Sequence, residues 1–563
     1  MKKLYLSILL ATALTTPQTL FCAPPATRPQ TWTAQDALGR TIGSTEQYGA
    51  PRPGKTVGMF FVIWHGTSGY DTYMKQLPDE GVRIPQPTDT LSPYDNQKLM
   101  TENPQNPQYG PQWVFHHWGE PYLGYYLADD DWVIRKHAQM LTDAGVDVII
   151  VDLTNAVIYL PQLKNLCKVY TQIREAGGRT PQLSFIFNTQ ARETVQRLYD
   201  NFYAKGLYKD LWFYWKGKPL ILCPPQDVTP QFADFFTIRH SWFCSLPEWE
   251  WFGDGRDKWP WADYYPQNAG WHESPDKPEA VSVAPATHPI TDGGRVRRVG
   301  RSYHNGQQPD KAHQHSEQGL CFAEQFSRAM ELDPEFVFFA GWNEWTAIRI
   351  IDHNDFLKCG DRDLKEGDTY FWDLYNHEYS RDIEPLRGRF GDNYYYQLCD
   401  FIRRYKGVEP ITFNEDGSIN EVEMTSQGAG DPLNAFDKTG AERACLLWGN
   451  TRIRLCAPDN EELSGIQNEN YAVYKYLDFG DGADSFTVDV TPKAGGKIEV
   501  WIDNLWTPPV GVVDVPASDD GKPVTLTAKI QPVKGVHALT LRFTGDKDAD
   551  ELFTVDAFRF GKQ

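Results

Sequence analysis

The chain has 563 residues, 41% of them apolar, and its 75 acidic against 55 basic side chains give a formal net charge of -20. So long a chain exceeds what one hydrophobic core usually organises, so two or three domains are expected. The acidic balance repels a phosphate backbone and argues against nucleic acid as a partner, and the composition is that of a globular rather than a disordered protein.

The first residues, MKKLYLSILLATALTTPQTLFCAPP, place two lysines before an apolar stretch and a small-residue exit. This pattern predicts a signal peptide over 1–23, cleaved beside Cys22 or Ala23, and hence export to a periplasmic, cell-surface or extracellular location. No other segment has eighteen uninterrupted apolar residues, so no transmembrane segment is expected. Residues 24–54 read as an N-terminal extension.

From Val57 to about residue 406 short β-rich runs alternate with helical stretches. The runs are VGMFFVIWH, VDVIIVDLTN, QLSFIFNT, KPLILCP, FFTIRHSW, EAVSVAPATH and FVFFAGWNEW. Nearly continuous apolar segments of this kind suit strands buried on both faces. Helix-like segments over 131–144, 160–176, 193–205 and 316–331 lie between them. The alternation predicts an α/β fold, a (β/α)8 TIM barrel over 55–406, with a doubly wound open sheet as the alternative. A polar, Gly-containing connector spans 407–436. Beyond it SFTVDVTP, KIEVWIDN, VTLTAKIQP, HALTLRFTG and FTVDAFRF alternate with period two, which predicts an antiparallel β-sandwich (jelly-roll) over 437–563.

Nine cysteines show no CxxC spacing, which disfavours zinc. Cys445 and Cys456 could staple a hairpin, while those in apolar strands read as buried thiols. His116, His117 and Glu120 crowd beside Asp129, Asp130 and Asp131, but the last two precede a helix pattern and read as caps. His304, His313 and His315 sit in a polar loop and read as solvated.

Aromatics reach 14%, with 19 Trp, and rings in excess of core needs often line surfaces on which sugars stack. In a parallel barrel the reacting groups follow the C-terminal ends of the strands. Glu344, which closes the apolar run FVFFAGW, is the leading catalytic candidate. Glycosidic cleavage normally takes a second carboxylate. Asp152 and Glu250 are the candidates for it, and Asp71, Glu120 and Glu248 compete with them. Trp64, Trp242, Trp251 and Trp345 would shape subsites, and His65, Asn155, Asn188, Arg239, His288 and Asn343 would hold hydroxyls. A lyase would instead need a base beside an arginine, as at Arg239 and His240.

FFAGWNEWTAIRI (338–350), the strand ending Trp64-His65, AGVDVIIVDLTN, GKPLIL and GRSYHN resemble the glycoside hydrolase family 71 and 99 group of (β/α)8 barrels over roughly residues 55–405. The resemblance implies hydrolysis of α-linked glycans such as mannan or glucan, with Glu344 as a catalytic carboxylate and no cofactor required for catalysis. The second glutamate of the family 99 signature is replaced here by Ala347. A glycan-binding surface protein without catalysis is therefore the competing expectation. The last 120 or so residues resemble carbohydrate-binding module families 6 and 35. That resemblance implies sugar contacts by Tyr471, Asn504 and Trp506, and a structural calcium held by Glu442 and Asp556.

Overall fold

The structure is a computed structural model that describes residues 32–43, 45–65, 115–292, 296–351, 357–388, 391–409, 415–417, 431–518 and 520–562. The signal segment, Asp71 and most of the 407–436 connector lie outside these residues.

All seven apolar runs form strands: β1 Thr56–Phe61, β2 Val148–Asp152, β3 Gln182–Ile186, β4 Lys218–Leu222, β5 Thr237–Arg239, β6 Pro278–Val283 and β7 Phe336–Phe339. They pair in parallel in the order β6, β7, β1, β2, β3, β4, β5, so the last strand of the series lies beside the first. Apart from the half-buried Thr237 and Ile238 of β5 and residues at strand starts, their side chains are buried on both faces, as an apolar run without alternation requires. Gly58 is needed where β7 meets β1, because a Cβ there would stand 2.4 Å from the Phe336 ring. Short antiparallel strands, Tyr214–Trp215 on β4 and Gly270–Trp271 on β6, make the sheet mixed. Beyond β5, only isolated parallel bridges, His240 to Lys258 and Phe243 to Ala262, occupy the place where an eighth strand is expected.

Helix α1, Asp131–Ala144, begins where the sequence pattern puts it. The Asp130 carboxylate accepts from the backbone N–H of Trp132 and Val133, and Gly145 ends the helix in the left-handed region. Helices α2 Leu160–Glu175, α3 Ala191–Leu198 and α4 Leu320–Leu332 follow. A further long helix, α5 Asn393–Lys406, with the sequence NYYYQLCDFIRRYK, is not among the helical stretches expected above. Its last residue makes a buried ion pair with Asp147 at 2.8 Å, beside the start of β2. A small sheet was also unforeseen: Thr346–Ile351 pairs with Phe115–His117 on one side and Thr369–Phe371 on the other. It buries both His116 and His117.

Residues 433–561 form two sheets around a separate core that includes Tyr474, Phe486, Leu541 and Phe558. The expected Cys445–Cys456 staple is absent and both are free thiols. Cys445 donates its N–H to Val473 of one sheet, whereas Cys456 lies on a strand of the other.

This sandwich is joined to the N-terminal part by the segment preceding α1. Leu127 packs into the sandwich core. Asp131 makes a buried, two-pronged ion pair with Arg443, and Asp130 meets Lys475 at 3.2 Å. The Gln162 amide donates to both Asp129 Oδ2, at 2.8 Å, and Glu461 Oε2, at 2.6 Å. Burial and the facing Glu461 raise the Asp129 pKa to about 7, against the pull of Gln162, Arg443 and Asn165. Asp129 then takes up its proton more readily folded than unfolded. Its contribution is fully present below about pH 4 and is lost as pH rises through about 7. Asp129→Asn should flatten this part of the curve of melting temperature against pH; an unchanged curve would contradict it.

Candidate functional site

Three of the expected polar groups converge beyond the strand ends. Asp152 closes β2, Glu344 follows β7, and His288 follows β6. They meet around Arg381, which the sequence reading missed.

Arg381 is fully buried and stacks its guanidinium 4.8 Å from the Trp261 ring. Its Nη2 donates to Glu344 Oε2 at 2.7 Å and stands 3.9 Å from Asp373 Oδ1, while Nη1 donates to the Asp373 carbonyl at 2.8 Å. Glu344 is 8% exposed. Its backbone N–H donates to Asp382 at 2.6 Å, and its carbonyl accepts from the Trp118 indole at 3.1 Å. One guanidinium thus faces four acids: Glu344, Asp373, Asp382 and Asp152. Burial raises the Glu344 pKa well above the usual carboxylate range; Arg381 opposes this, and Asp373, Asp382 and Asp152 add to it. Burial also raises Asp373 and Asp152.

The Asp152 carboxylate is engaged on both oxygens, accepting from Trp64 Nε1 at 3.0 Å and from the Thr154 N–H at 2.9 Å. Among the described residues Asp373 has no comparable donor; beyond Arg381, the nearest described basic group is His288 Nε2 at 4.0 Å, and the Asp373 side chain is 35% exposed. His288 packs edge-on against Phe243 at 4.2 Å, and burial beside Arg381 keeps its imidazole neutral. His65 stacks on Trp64 at 5.6 Å, and burial lowers its pKa to about 3.

Several expected site residues are committed elsewhere. Arg239 forms a two-pronged buried ion pair with Glu279, the second residue of β6, with Nε to Oε2 at 2.6 Å and Nη2 to Oε1 at 2.7 Å. Trp215 and Trp259 donate to the same carboxylate, so Arg239 is part of the core packing. Asn343 uses its amide on the Val62 backbone, accepting at 2.9 Å and donating at 3.0 Å, which fastens the end of β1. Trp345 is 0% exposed, stacked on Trp118 and bonded to Glu384 at 2.6 Å, so it forms no open wall. Glu384 also accepts from Tyr126 at 2.7 Å and meets His137 at 2.8 Å. Glu250 is exposed on a turn, with no described contact to Glu344, as is Glu248, and Glu120 pairs with Arg387. Trp251 gives its indole N–H to the carbonyls of Phe243 and Cys244. Trp242, Asn155 and Asn188 are half-buried beyond β5, β2 and β3.

Arg381 and Asp382 lie in a loop with no periodicity. Asp373 could have been found, because it closes the aromatic run TYFW as Glu344 closes FVFFAGW.

On the sandwich, Trp506 is 93% exposed, with Asn504 Oδ1 accepting its backbone N–H at 2.9 Å. Tyr471 stacks on the exposed Trp448 at 5.7 Å. A recess of about 400 Å³ is lined by Asn450, Arg452, Gln467, Asp550 and Glu551 among others, without an aromatic ring. Of the two residues expected to hold calcium, Glu442 has its Oε2 buried without a hydrogen-bond partner, and burial with the neighbouring Asp129, Glu461 and Asp556 raises its pKa well above the usual carboxylate range. Asp556 is engaged by Asn460 at 2.6 Å and Lys438 at 3.5 Å. Among the described residues no group of three or more metal-binding side chains forms.

Residues 448–562 match the carbohydrate binding module (family 6). Two arabinoxylan arabinofuranohydrolases are similar to the chain: that of Bacillus subtilis is 30% identical over 162 residues, 27% of this chain and 31% of its own length. That of Paenibacillus polymyxa is 31% identical over 163 residues, 27% of this chain and 25% of its own. The chain thus spans about a third or less of these relatives. A solved module, CsCBM6-3 from Clostridium stercorarium in complex with cellobiose, is 27% identical over 24% of this chain and 99% of its own, with a TM-score of 0.22. A GH99 endo-alpha-mannosidase from Bacteroides thetaiotaomicron overlaps 62% of this chain and 97% of its own at 14% identity and a TM-score of 0.34. The family 6 module thus carries Trp448, Tyr471 and Trp506, and no helix among the described residues is long and apolar enough to cross a membrane.

Proposed function

We propose that this chain is an exported glycoside hydrolase, with the seven-strand sheet read as a (β/α)8-type barrel whose eighth place falls to residues 258–262. The observation that carries the reading is the gathering of Glu344, Asp373 and Asp152 around Arg381 beyond the C-terminal strand ends. A buried acid with its pKa pushed up beside a second, solvent-reachable carboxylate is the equipment that glycosidic cleavage uses. The family 6 module holds the polysaccharide near the site.

The substrate is a polysaccharide or glycan: the similar proteins are arabinoxylan arabinofuranohydrolases, while the barrel's resemblance implies α-linked mannan or glucan. Screening wild type against Glu344→Gln on α-mannan, α-glucan and arabinoxylan tests the reading, which fails if no glycan is cleaved. A second reading, a glycan-binding protein without turnover, is favoured by Ala347. That residue stands where the resemblance implies a second acid, and it is buried and paired with His116. Retention of glycan without product would support it.

Trp506→Ala is expected to weaken retention on the bound polysaccharide about two- to tenfold, in line with the loss of one stacked ring. Affinity electrophoresis measures this, and unchanged mobility would remove Trp506 from the binding surface.

A further inference from the structure

We infer that Asp373 is the second catalytic carboxylate, working with Glu344 across the shared guanidinium of Arg381. The inference rests on the hydrolase reading above and names the group that reading lacks.

Geometry separates Asp373 from the other acids. Asp152 has both oxygens occupied by Trp64 and Thr154 and is buried. Asp382 accepts from the Glu344 N–H and from Ser380 at 2.9 Å, so it shapes the backbone turn beneath Glu344. Among the described acids, Asp373 alone combines closeness to Glu344 with an open face. Both carboxylates address the same Arg381 nitrogen, at 2.7 Å and 3.9 Å. The two oxygens can stand no further apart than these two contacts laid end to end. That bound on one oxygen pair is compatible with the carboxyl separation of about 5–5.5 Å found in retaining enzymes.

The roles follow from the surroundings. Glu344, buried among three further acids and the more strongly raised of the two, is the proton donor, while Asp373, 35% exposed and facing Arg381, is the anion. In the first step the Glu344 proton passes to the glycosidic oxygen as its bond to the anomeric carbon breaks. The Asp373 carboxylate forms a bond to that carbon, and the leaving group departs as an alcohol. In the second step water attacks the anomeric carbon and its proton returns to Glu344, and the bond to Asp373 breaks. One water is consumed and the configuration is retained.

The test uses the full-length protein with 4-nitrophenyl and 2,4-dinitrophenyl glycosides of mannose, glucose, xylose and arabinofuranose, alongside the three glycans. Asp373→Ala should lose at least about a hundredfold in turnover. Added azide should restore release and yield a glycosyl azide, which repair of a merely structural defect would not give. Asp152→Asn should keep more of its activity and show no azide product. If wild type is active and Glu344→Gln is not, while Asp373→Ala is unimpaired or azide acts only on an Asp152 variant, this assignment fails and the hydrolase reading stands. A wild-type protein inert on the whole panel overturns both.

Discussion

Turnover by Glu344→Gln should fall by about 10²–10⁴-fold, the usual cost of removing a proton donor. The change is nearly isosteric, and the amide oxygen can still accept from Arg381. The backbone anchors at Asp382 and Trp118 do not involve the side chain, so the loss reports chemistry rather than folding. A pH profile sharpens the result. Burial and three neighbouring acids raise the Glu344 pKa, and a general acid works only while protonated. Wild-type activity should therefore decline as pH rises through that elevated pKa, and the variant's residual activity should lack this alkaline limb. A variant retaining full activity would remove Glu344 from the mechanism.

Asp131→Ala should cost about 3–5 kcal/mol, the penalty for leaving a buried charge without its partner. Arg443 is buried enough that its pKa is pulled down to about 10, and Asp131 engages its Nε at 2.9 Å as well as its Nη2. Asp131 also accepts from the Asn165 amide at 3.0 Å and begins α1, so three connections fail together. The loss should appear as a lower thermal midpoint and faster proteolysis near residue 431. Asp131→Asn, which keeps an acceptor, should lose less. Equal melting of wild type and Asp131→Ala would show that the ion pair adds nothing to the junction.

The sheet was legible because its strands are continuous apolar runs, short and rich in β-branched residues as in VDVIIVD, which suits strands buried on both faces. Likewise, strict alternation in SFTVDV and HALTLRF announces a sandwich strand. Helix α5 escaped because its buried face mixes Leu398, Phe401 and Ile402 with Asn393, Gln397, Arg403 and Lys406, which blurs the apolar stripe. For the site, Glu344 and Asp152 could be found because each ends a strand. Arg381 could not, since its position depends on the 380–384 segment folding back on Gly341 and Trp342, a long-range contact without local pattern. Arg239 and Asn343 misled for a related reason: a polar residue at a strand end can equally be a fastener, and only the partners, Glu279 and the Val62 backbone, decide.

The segment at residues 126–131 has a practical consequence. Tyr126 touches Glu384, Leu127 is embedded in the sandwich interior, and Asp130 and Asp131 grip its surface. Cutting the chain in the connector to isolate a stand-alone barrel would strip Leu127 of its apolar surroundings and strand Asp131 without its arginine. A truncated protein that is slow or unstable would then report damage carried back through Tyr126 to the neighbourhood of Trp345, and could be mistaken for loss of polysaccharide targeting. Point changes at Trp506 keep these two effects apart.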